Sequence, residues 1–392
     1  MTEEKKDIGL DVYILGAVSF LTDVSSEMIF PLIPVFVTTI LGAGKEVLGL
    51  IEGIADSIAS WLEIVSGYVS DKTGKRKQLV VLGYGMSSFV KLGIALSTQW
   101  WHVLIMRALE RVGKGIRTAP RDAIIAASSS TTARGKAYGL HRMMDTVGAI
   151  IGPAIAFFLL GILGNGESAY RTVFLAALIP AFLAVLLIIL FVREPTKKNI
   201  TPKEKVKFWD ALKQLGKEYH TYLKISLFFS LAYFSFAFFI VRANEIGIST
   251  ENILLLYLFY NIIYAIAAIP TGMLSDKIGR KPMIAGAFAL YALICIGFAF
   301  VGDFFSLLIL FGLYGIFVAT DESVNKAYIS DMAPPEKRGI AFGAYSTAIG
   351  AAYLPASLIA GTLWAIYGAL VPLSIAAGIS IIAAIAISIC CR

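Results

Sequence analysis

Apolar runs long enough to cross a lipid bilayer recur along almost the whole chain, separated by short polar stretches. They predict helices over Gly9–Ile40, Val47–Val69, Leu79–Ser97, His102–Ile125, Gly135–Leu163 and Arg171–Val192. The same plan recurs over Tyr222–Val241, Asn252–Gly272, Pro282–Val301, Phe305–Ile329, Gly339–Ile366 and Leu370–Cys391. At about 1.5 Å of rise per residue, each can span a hydrocarbon layer about 30 Å thick. Pro31 and Pro34 interrupt the first run. Arg193–His220 is the one long polar stretch, and it carries Pro195, Pro202 and many lysines. Trp209, Leu212, Leu215 and Tyr219 fall there at near-helical spacing, which predicts an amphipathic helix on the membrane surface; a disordered linker is the alternative. The expected division is a six-helix bundle over 1–192, a linker over 193–220 and a second six-helix bundle over 221–392.

Composition agrees with this reading. Hydrophobic residues make up 57% and charged residues 16% of the chain, too little polar surface for a soluble protein of 392 residues. The net charge of +7 invites a nucleic-acid reading, but the placement of the charges argues against it. Most Lys and Arg fall in segments on one side of the predicted membrane, with Lys45 and Arg171 among the few opposite. That asymmetry places the basic side and both termini in the cytoplasm of a cell-membrane (inner-membrane) protein. Residues 1–7 carry no cleavable signal, so the first helix serves as its own targeting signal. Cys295, Cys390 and Cys391 lack metal-ligand spacing, and no metal or cofactor is expected.

Two short stretches are near copies of one another. Gly67, Asp71, Lys72, Gly74, Lys75 and Arg76 match Gly272, Asp276, Lys277, Gly279, Arg280 and Lys281 in the pattern G-x-x-x-D-K-x-G-[KR]-[KR]. Each reads as a tight basic loop between two membrane helices, with glycine for close packing and chain reversal. The aspartate is suited to accept from a neighbouring helix N-terminus. A second repeat, Arg134 to Gly139 against Arg338 to Gly343, recurs at nearly the same interval. Duplicated halves are what many secondary transporters contain.

Both loops resemble the signature between the second and third, and the eighth and ninth, helices of major facilitator superfamily transporters. The resemblance covers nearly the whole chain. It implies an all-α membrane protein of twelve transmembrane helices in two pseudo-symmetric bundles, with alternating access to a central cavity. In the fourth helix, Arg111, Lys114, Gly115, Arg117 and Ala119 resemble the proton-antiporter pattern R-x-x-Q-G-x-G-A-A, with Lys114 and Arg117 departing from it. The family's coupling arginine corresponds to Arg111. Gly139, Gly148, Gly152 and Pro153 resemble the drug/proton antiporter signature G-x8-G-x3-G-P-x-x-G-G, whose last two glycines are Ala156 and Phe157 here. In the family this stripe packs the halves and accompanies export.

Charge inside a membrane helix costs roughly 2.5–3.5 kcal/mol on insertion scales and needs a partner or a wet cavity. The first helix carries Asp23 and Glu27 one turn apart, and the second Glu52, Asp56 and Glu63 on one face. The third adds Lys91; the fourth adds Arg107, Glu110, Arg111, Lys114, Arg117, Arg121 and Asp122; the fifth adds His141, Arg142 and Asp145. These charges either pair to hold the bundle together or line a cavity that binds a charged solute and moves protons. The second reading assigns proton coupling to Asp23, Glu27, Arg111 and Asp145, with Arg107 or Arg111 serving the acids of the first helix. It assigns solute binding to Glu52, Asp56, Arg107, Lys114, Arg117 and Arg142. In the second half, Tyr257, Tyr260, Asn261 and Tyr264 form an amphipathic stripe suited to a cavity wall, with Tyr233, Ser235 and Phe236 on the preceding helix. Asp321, Glu322, Asn325 and Lys326 read as gate residues. Gating is also expected of Gly67, Asp71, Gly74, Arg76, Gly148, Gly152, Pro153, Gly272, Asp276, Gly279 and Arg280.

No nucleophile–base pair, metal cluster or phosphate loop marks an enzyme, and a passive channel has no need of acids beside arginines. The sequence therefore predicts a monomeric secondary transporter, a proton-coupled antiporter exporting a small organic solute. Proton-coupled uptake of an organic anion or metal chelate is the alternative. The expected partners are the solute, protons and the lipid bilayer, with no nucleic acid.

Overall fold

The computed structural model describes residues 8–130, 133–194, 212–213, 215–334 and 337–390; within the second helix the side chains of 59–61, 63–65, 67–68 and 71 also lie outside the description. Helices account for nearly all of the described chain. In the amino-terminal half, α1 begins as an α-helix over Leu10–Ile29 and continues through a 3-10 turn at Phe30–Leu32 and a π turn at Phe36–Ile40. The prolines at 31 and 34 remove backbone donors there, so the regular ladder cannot continue. Next come α2 (Lys45–Thr73), α3 (Arg76–Ala95), α4 (Trp100–Ala127), α5 (Arg134–Leu163) and α6 (Glu167–Phe191). The carboxy-terminal half has α7 in two pieces (Lys217–Ser230 and Ala237–Glu245). It continues with α8 (Thr250–Ile278), α9 (Arg280–Phe300), α10 (Phe304–Met332), α11 (Arg338–Tyr367) and α12 (Leu370–Cys390).

Among the described residues, 9 helices are by themselves long and apolar enough to cross a membrane. Outside that set are α2, α4 and α7. α2 and α4 have the length but carry acids and arginines through their middles, and α7 is interrupted over 231–236. α2 and α4 thus bring much of the charge into the fold, alongside Asp23, Lys91 and Asp145 on helices apolar enough to span.

Two structural differences from the sequence reading concern boundaries. The segment expected as a continuous Tyr222–Val241 helix is instead broken, as described. The repeated glycine–aspartate stretches are mostly helix: α2 runs through Gly67 and Asp71 to Thr73, and α8 runs through Gly272 and Asp276 to Ile278. The chain reverses only around Gly74 (φ 69°) and Gly279 (φ 97°), the left-handed region that a side chain resists. The surface helix expected near Trp209 lies outside the described residues, apart from Leu212, Leu215 and Tyr219.

The chain divides into two compact units, Met1–Ala43 with Ile58–Asn199, and Gly44–Ser57 with Ile200–Arg392. In the first unit α1 packs along α5 and α6, and α3 along α4 and α6. In the second, α8 packs along α10, α9 along α10 and α12, and α7 along α11 and α12. The shared pairing of α3 with α4 and α6, and of α9 with α10 and α12, is the structural form of the sequence repeat.

Candidate functional site

A polar seam runs between α1 and α5 of the first unit. Gly148 and Gly152 sit on the α5 face against α1, where an added Cβ would meet the carbonyl oxygens of Phe20 and Val24. Their neighbour is therefore a helix of the same unit. Glycine here lets the two backbones close, and the polar side chains flanking the glycines meet as a result. Ser19 Oγ donates to Asp145 Oδ1 at 2.6 Å, and Arg142 donates to the other carboxylate oxygen at 3.2 Å. The Asp23 carboxyl lies within hydrogen-bonding reach of Asp145. Ionised carboxylates only accept, so such a pair closes a hydrogen bond only when one of them carries a proton. Glu27, one turn along α1, and Lys114 of α4 are near enough to Asp23 for their charges to act on it.

Basic side chains of α3 and α4 form the rest of this interior. Arg107 is buried, pairs with Glu110 at 2.5 Å and stands over the Phe30 ring at 5.5 Å. Arg111 adds its charge beside Glu110. Buried Arg117 donates to Ser87 Oγ and lies 4.3 Å from the Tyr84 ring centroid, a geometry in which the ring face attracts the cation. Lys91 is only 1% exposed, and its ammonium donates to Ser25 Oγ at 2.5 Å and to Ser26 Oγ at 3.3 Å. Lys114 is near enough to both Asp23 and Asp145 for its charge to act on them, and Arg142 is bonded to Asp145 directly.

The second unit has a different chemistry. Phe236, in the break of α7, stacks on Tyr260 at 5.0 Å and also packs on Tyr257 and Tyr314. Asn261 turns its amide back to the Tyr257 carbonyl at 3.1 Å, a bond internal to α8. Tyr264 donates to Glu322 at 2.9 Å. Asn325 donates to Asp321 at 2.7 Å and accepts from Tyr222 at 2.7 Å, joining α7 to α10. Glu52 is buried in this unit, and Asp56 lies near Tyr314 and Tyr353. The residues expected to bind solute therefore divide: Arg107, Lys114, Arg117 and Arg142 belong to the first unit, and Glu52, Asp56, Tyr257, Tyr260, Asn261 and Tyr264 to the second.

The two basic turns are also held differently. In the second copy Asp276 pairs with Arg280 at 2.6 Å, and Arg280 reaches Asp331 of α10 at 3.2 Å. Lys281 pairs with Glu218 of α7 at 2.7 Å, and Glu218 accepts from Tyr328 at 2.9 Å. In the first copy the side chains of Gly67 and Asp71 lie outside the described residues. The N-terminus of α3 is capped by Glu194, whose carboxylate accepts from the backbone N–H of Arg76 at 2.8 Å and of Lys77 at 2.9 Å. That is the part the sequence reading gave to the repeated aspartate. Glu194 belongs to no repeat, and no local sequence signal marks it.

The sequence model of the Major Facilitator Superfamily matches residues 15–259 and 225–391. An uncharacterized MFS-type transporter of Methanocaldococcus jannaschii is 41% identical over 370 residues, spanning 93% of this chain and 91% of its own length. The multidrug resistance protein MdtH of Photorhabdus laumondii is 24% identical over 339 residues, 83% of this chain and 80% of its own. Among solved structures, a variant of the nucleoside transporter NupG superposes with a TM-score of 0.81 at 14% identity, over 96% of this chain and 99% of that one.

Proposed function

We propose, for a chain that belongs to the Major Facilitator Superfamily and is a multi-pass membrane transporter rather than an enzyme, that it works by alternating access as a proton-coupled antiporter exporting a small organic solute. The observation that carries this reading is the Asp23–Asp145 pair beside Lys114. A positively charged group of the solute can sit against the two carboxylates only after their shared proton has left, and a proton returning to the pair releases that group. Solute and proton thus compete for one set of charges, which is the requirement of antiport. Glu27 and Arg111 tune that competition, and Arg107, Lys114, Arg117 and Arg142 receive any acidic group the solute carries. Glu52, Asp56, Tyr257, Tyr260, Asn261 and Tyr264 are the second unit's candidates for solute binding. The relative named for multidrug resistance supports export. The turns around Gly74, Arg76, Gly279 and Arg280, with Gly67, Asp71, Gly272, Asp276 and Pro153, set the conformational balance. The protein acts as a monomer in the cell membrane with both termini in the cytoplasm.

The basic residues of α3 and α4 favour a second reading, proton-coupled uptake of an organic anion or metal chelate. Purified protein in liposomes loaded with a pH dye separates the two. Ethidium and carboxyfluorescein serve as a cationic and an anionic probe, each supplied against an imposed proton gradient. Antiport predicts that probe and protons move in opposite directions and that Asp23→Asn abolishes the coupling. Movement in the same direction selects symport, and probe flux indifferent to the gradient overturns both.

A further inference from the structure

His141 is buried to 6% exposure, and its Nε2 has no hydrogen-bond partner among the described residues. A buried imidazole nitrogen without a partner costs free energy, and its presence calls for an explanation. The ring lies one helical turn before Asp145 on α5, on the same face and about 6 Å away along the axis. The charges around it come from two helices: Arg121 and Asp122 from α4, Arg142 and Asp145 from α5. Tyr138 ties that end of α5 to α4 by donating to the Asp122 carbonyl at 2.9 Å. α5 starts at Arg134, so His141 stands about 10 Å inside that end and Asp145 about 16 Å inside it. His141 thus lies between the carboxyl pair and that face of the membrane.

We propose that His141 is the relay through which the Asp23–Asp145 site exchanges its proton with the side of the membrane where α5 begins. The inference rests on the proton-coupling reading above. Asp145 is the movable partner, since its bonds to Ser19 and Arg142 are to a hydroxyl and to a half-exposed guanidinium. The proton of the pair passes from the Asp23 carboxyl to the Asp145 carboxylate; on turning from Ser19, Asp145 gives it to one imidazole nitrogen, leaving both carboxylates ionised and an imidazolium. The imidazolium then releases the proton on its other nitrogen to water at the α5 terminus, restoring neutral histidine in its other tautomer. Return to the first tautomer, by ring rotation or proton exchange, readies it for the next proton. No electron transfer or further reactant is needed. Arg121 and Arg142 keep the imidazolium short-lived, and Asp122 and Asp145 make it accessible.

The test is stopped-flow proton release from the full chain in nanodiscs after an alkaline step, read with pyranine. Amplitude reports the site and rate reports the path. His141→Gln is expected to keep the amplitude and slow the release about 100-fold, within the range for loss of a positioned acid–base group. Millimolar imidazole in the buffer should restore the rate, and His141→Glu, which keeps a proton carrier, should stay within about ten-fold of wild type. Asp145→Asn should remove amplitude instead. If Asp145→Asn and Asp23→Asn both leave the amplitude intact, the proton-site reading falls and the relay with it. Amplitude lost in those variants, with a wild-type rate in His141→Gln or no rescue by imidazole, overturns the relay alone. Should His141→Gln not fold, the wild type gives the same decision. The chain has 3 histidines, and the ¹⁵N signal of His141, assigned by His141→Glu, must show transient protonation during release. A signal that never changes overturns the relay.

Discussion

Replacing Gly152 with alanine puts a methyl carbon where α1 leaves no room. The added Cβ would lie 2.6 Å from the Val24 carbonyl oxygen and 2.9 Å from Glu27 Cβ, where ordinary contact begins at 3.4 Å. Neither atom can swing away on a rotamer, so α1 itself must recede by roughly 0.8 Å, or α5 must bend. Overpacking of this kind costs about 1–3 kcal/mol. The helix propensity gained on going from glycine to alanine returns up to about 1 kcal/mol and confuses a single measurement. Gly161→Ala on the same helix provides the control, because nothing lies within 4 Å of its added Cβ. The difference between the two variants isolates packing, and Gly152→Ala should be the less stable by about 1–3 kcal/mol. Thermal unfolding of both purified variants in one detergent reads that difference. A second consequence follows from the same displacement. The Ser19–Asp145 bond of 2.6 Å would stretch beyond the usual O–H···O range, about 2.5–3.0 Å, so proton release from the carboxyl pair should change with it. A Gly152→Ala protein as stable as Gly161→Ala would refute the claim that this glycine sets the α1–α5 distance.

Lys91→Met removes a buried ammonium while keeping its volume; we expect unchanged or raised thermal stability with loss of gradient-driven probe transport, because the lysine is held by two hydroxyls. A fall of more than about 2 kcal/mol in unfolding free energy would show that Lys91 is structural instead. Glu194→Ala strips two backbone donors of their acceptor at the start of α3 and should cost about 1 kcal/mol; hydrogen exchange confined to the first turn of α3 reads it, and unchanged protection of Arg76 and Lys77 would count against the cap. Asp303 caps α10, and its bonds from Ser306 hold its carboxyl below the ordinary value. A depressed folded value means the cap contributes fully above the ordinary carboxylate range and is lost as pH falls from there through the depressed folded value. Asp303→Ala should therefore lower the melting temperature most near neutral pH, with the deficit shrinking as pH falls below the ordinary carboxylate range, and a deficit independent of pH would contradict the charged cap.

The helices were legible because membrane spans announce themselves by length, and the halves because two motifs repeat. The composition of the site was legible too: Asp23, Glu27, Lys114 and Asp145 stand out as charges inside apolar runs. Their pairing was not. Helical spacing puts Asp23 beside Glu27 but says nothing of which face of α5 will meet α1, and only the close approach at Gly148 and Gly152 brings Asp145 to it. His141 could have been singled out by its spacing of four from Asp145. Nothing local marks Glu194, since its role depends on where α6 delivers the chain relative to α3.

The break in α7 shows the limit most clearly. Between Ser230 and Ala237 there is neither proline nor glycine, so no local rule ends the helix there. The stretch is instead rich in rings: Tyr233 packs on Tyr291, Phe317 and Tyr353, and Phe236 on Tyr257, Tyr260 and Tyr314. Contacts with other helices, not a local breaker, accompany the interruption. The freed backbone finds partners from other helices: the Ser235 N–H donates to Ser357 Oγ at 3.1 Å, and the Ala232 carbonyl accepts from Tyr291 at 3.2 Å. Non-helical backbone at membrane depth persists only under such conditions. In α1, the corresponding first helix of the other half, the interruption comes from Pro31 and Pro34. The two halves therefore reach an interrupted first helix by different physical means, one covalent and readable in the sequence, the other a consequence of packing and readable only in the fold.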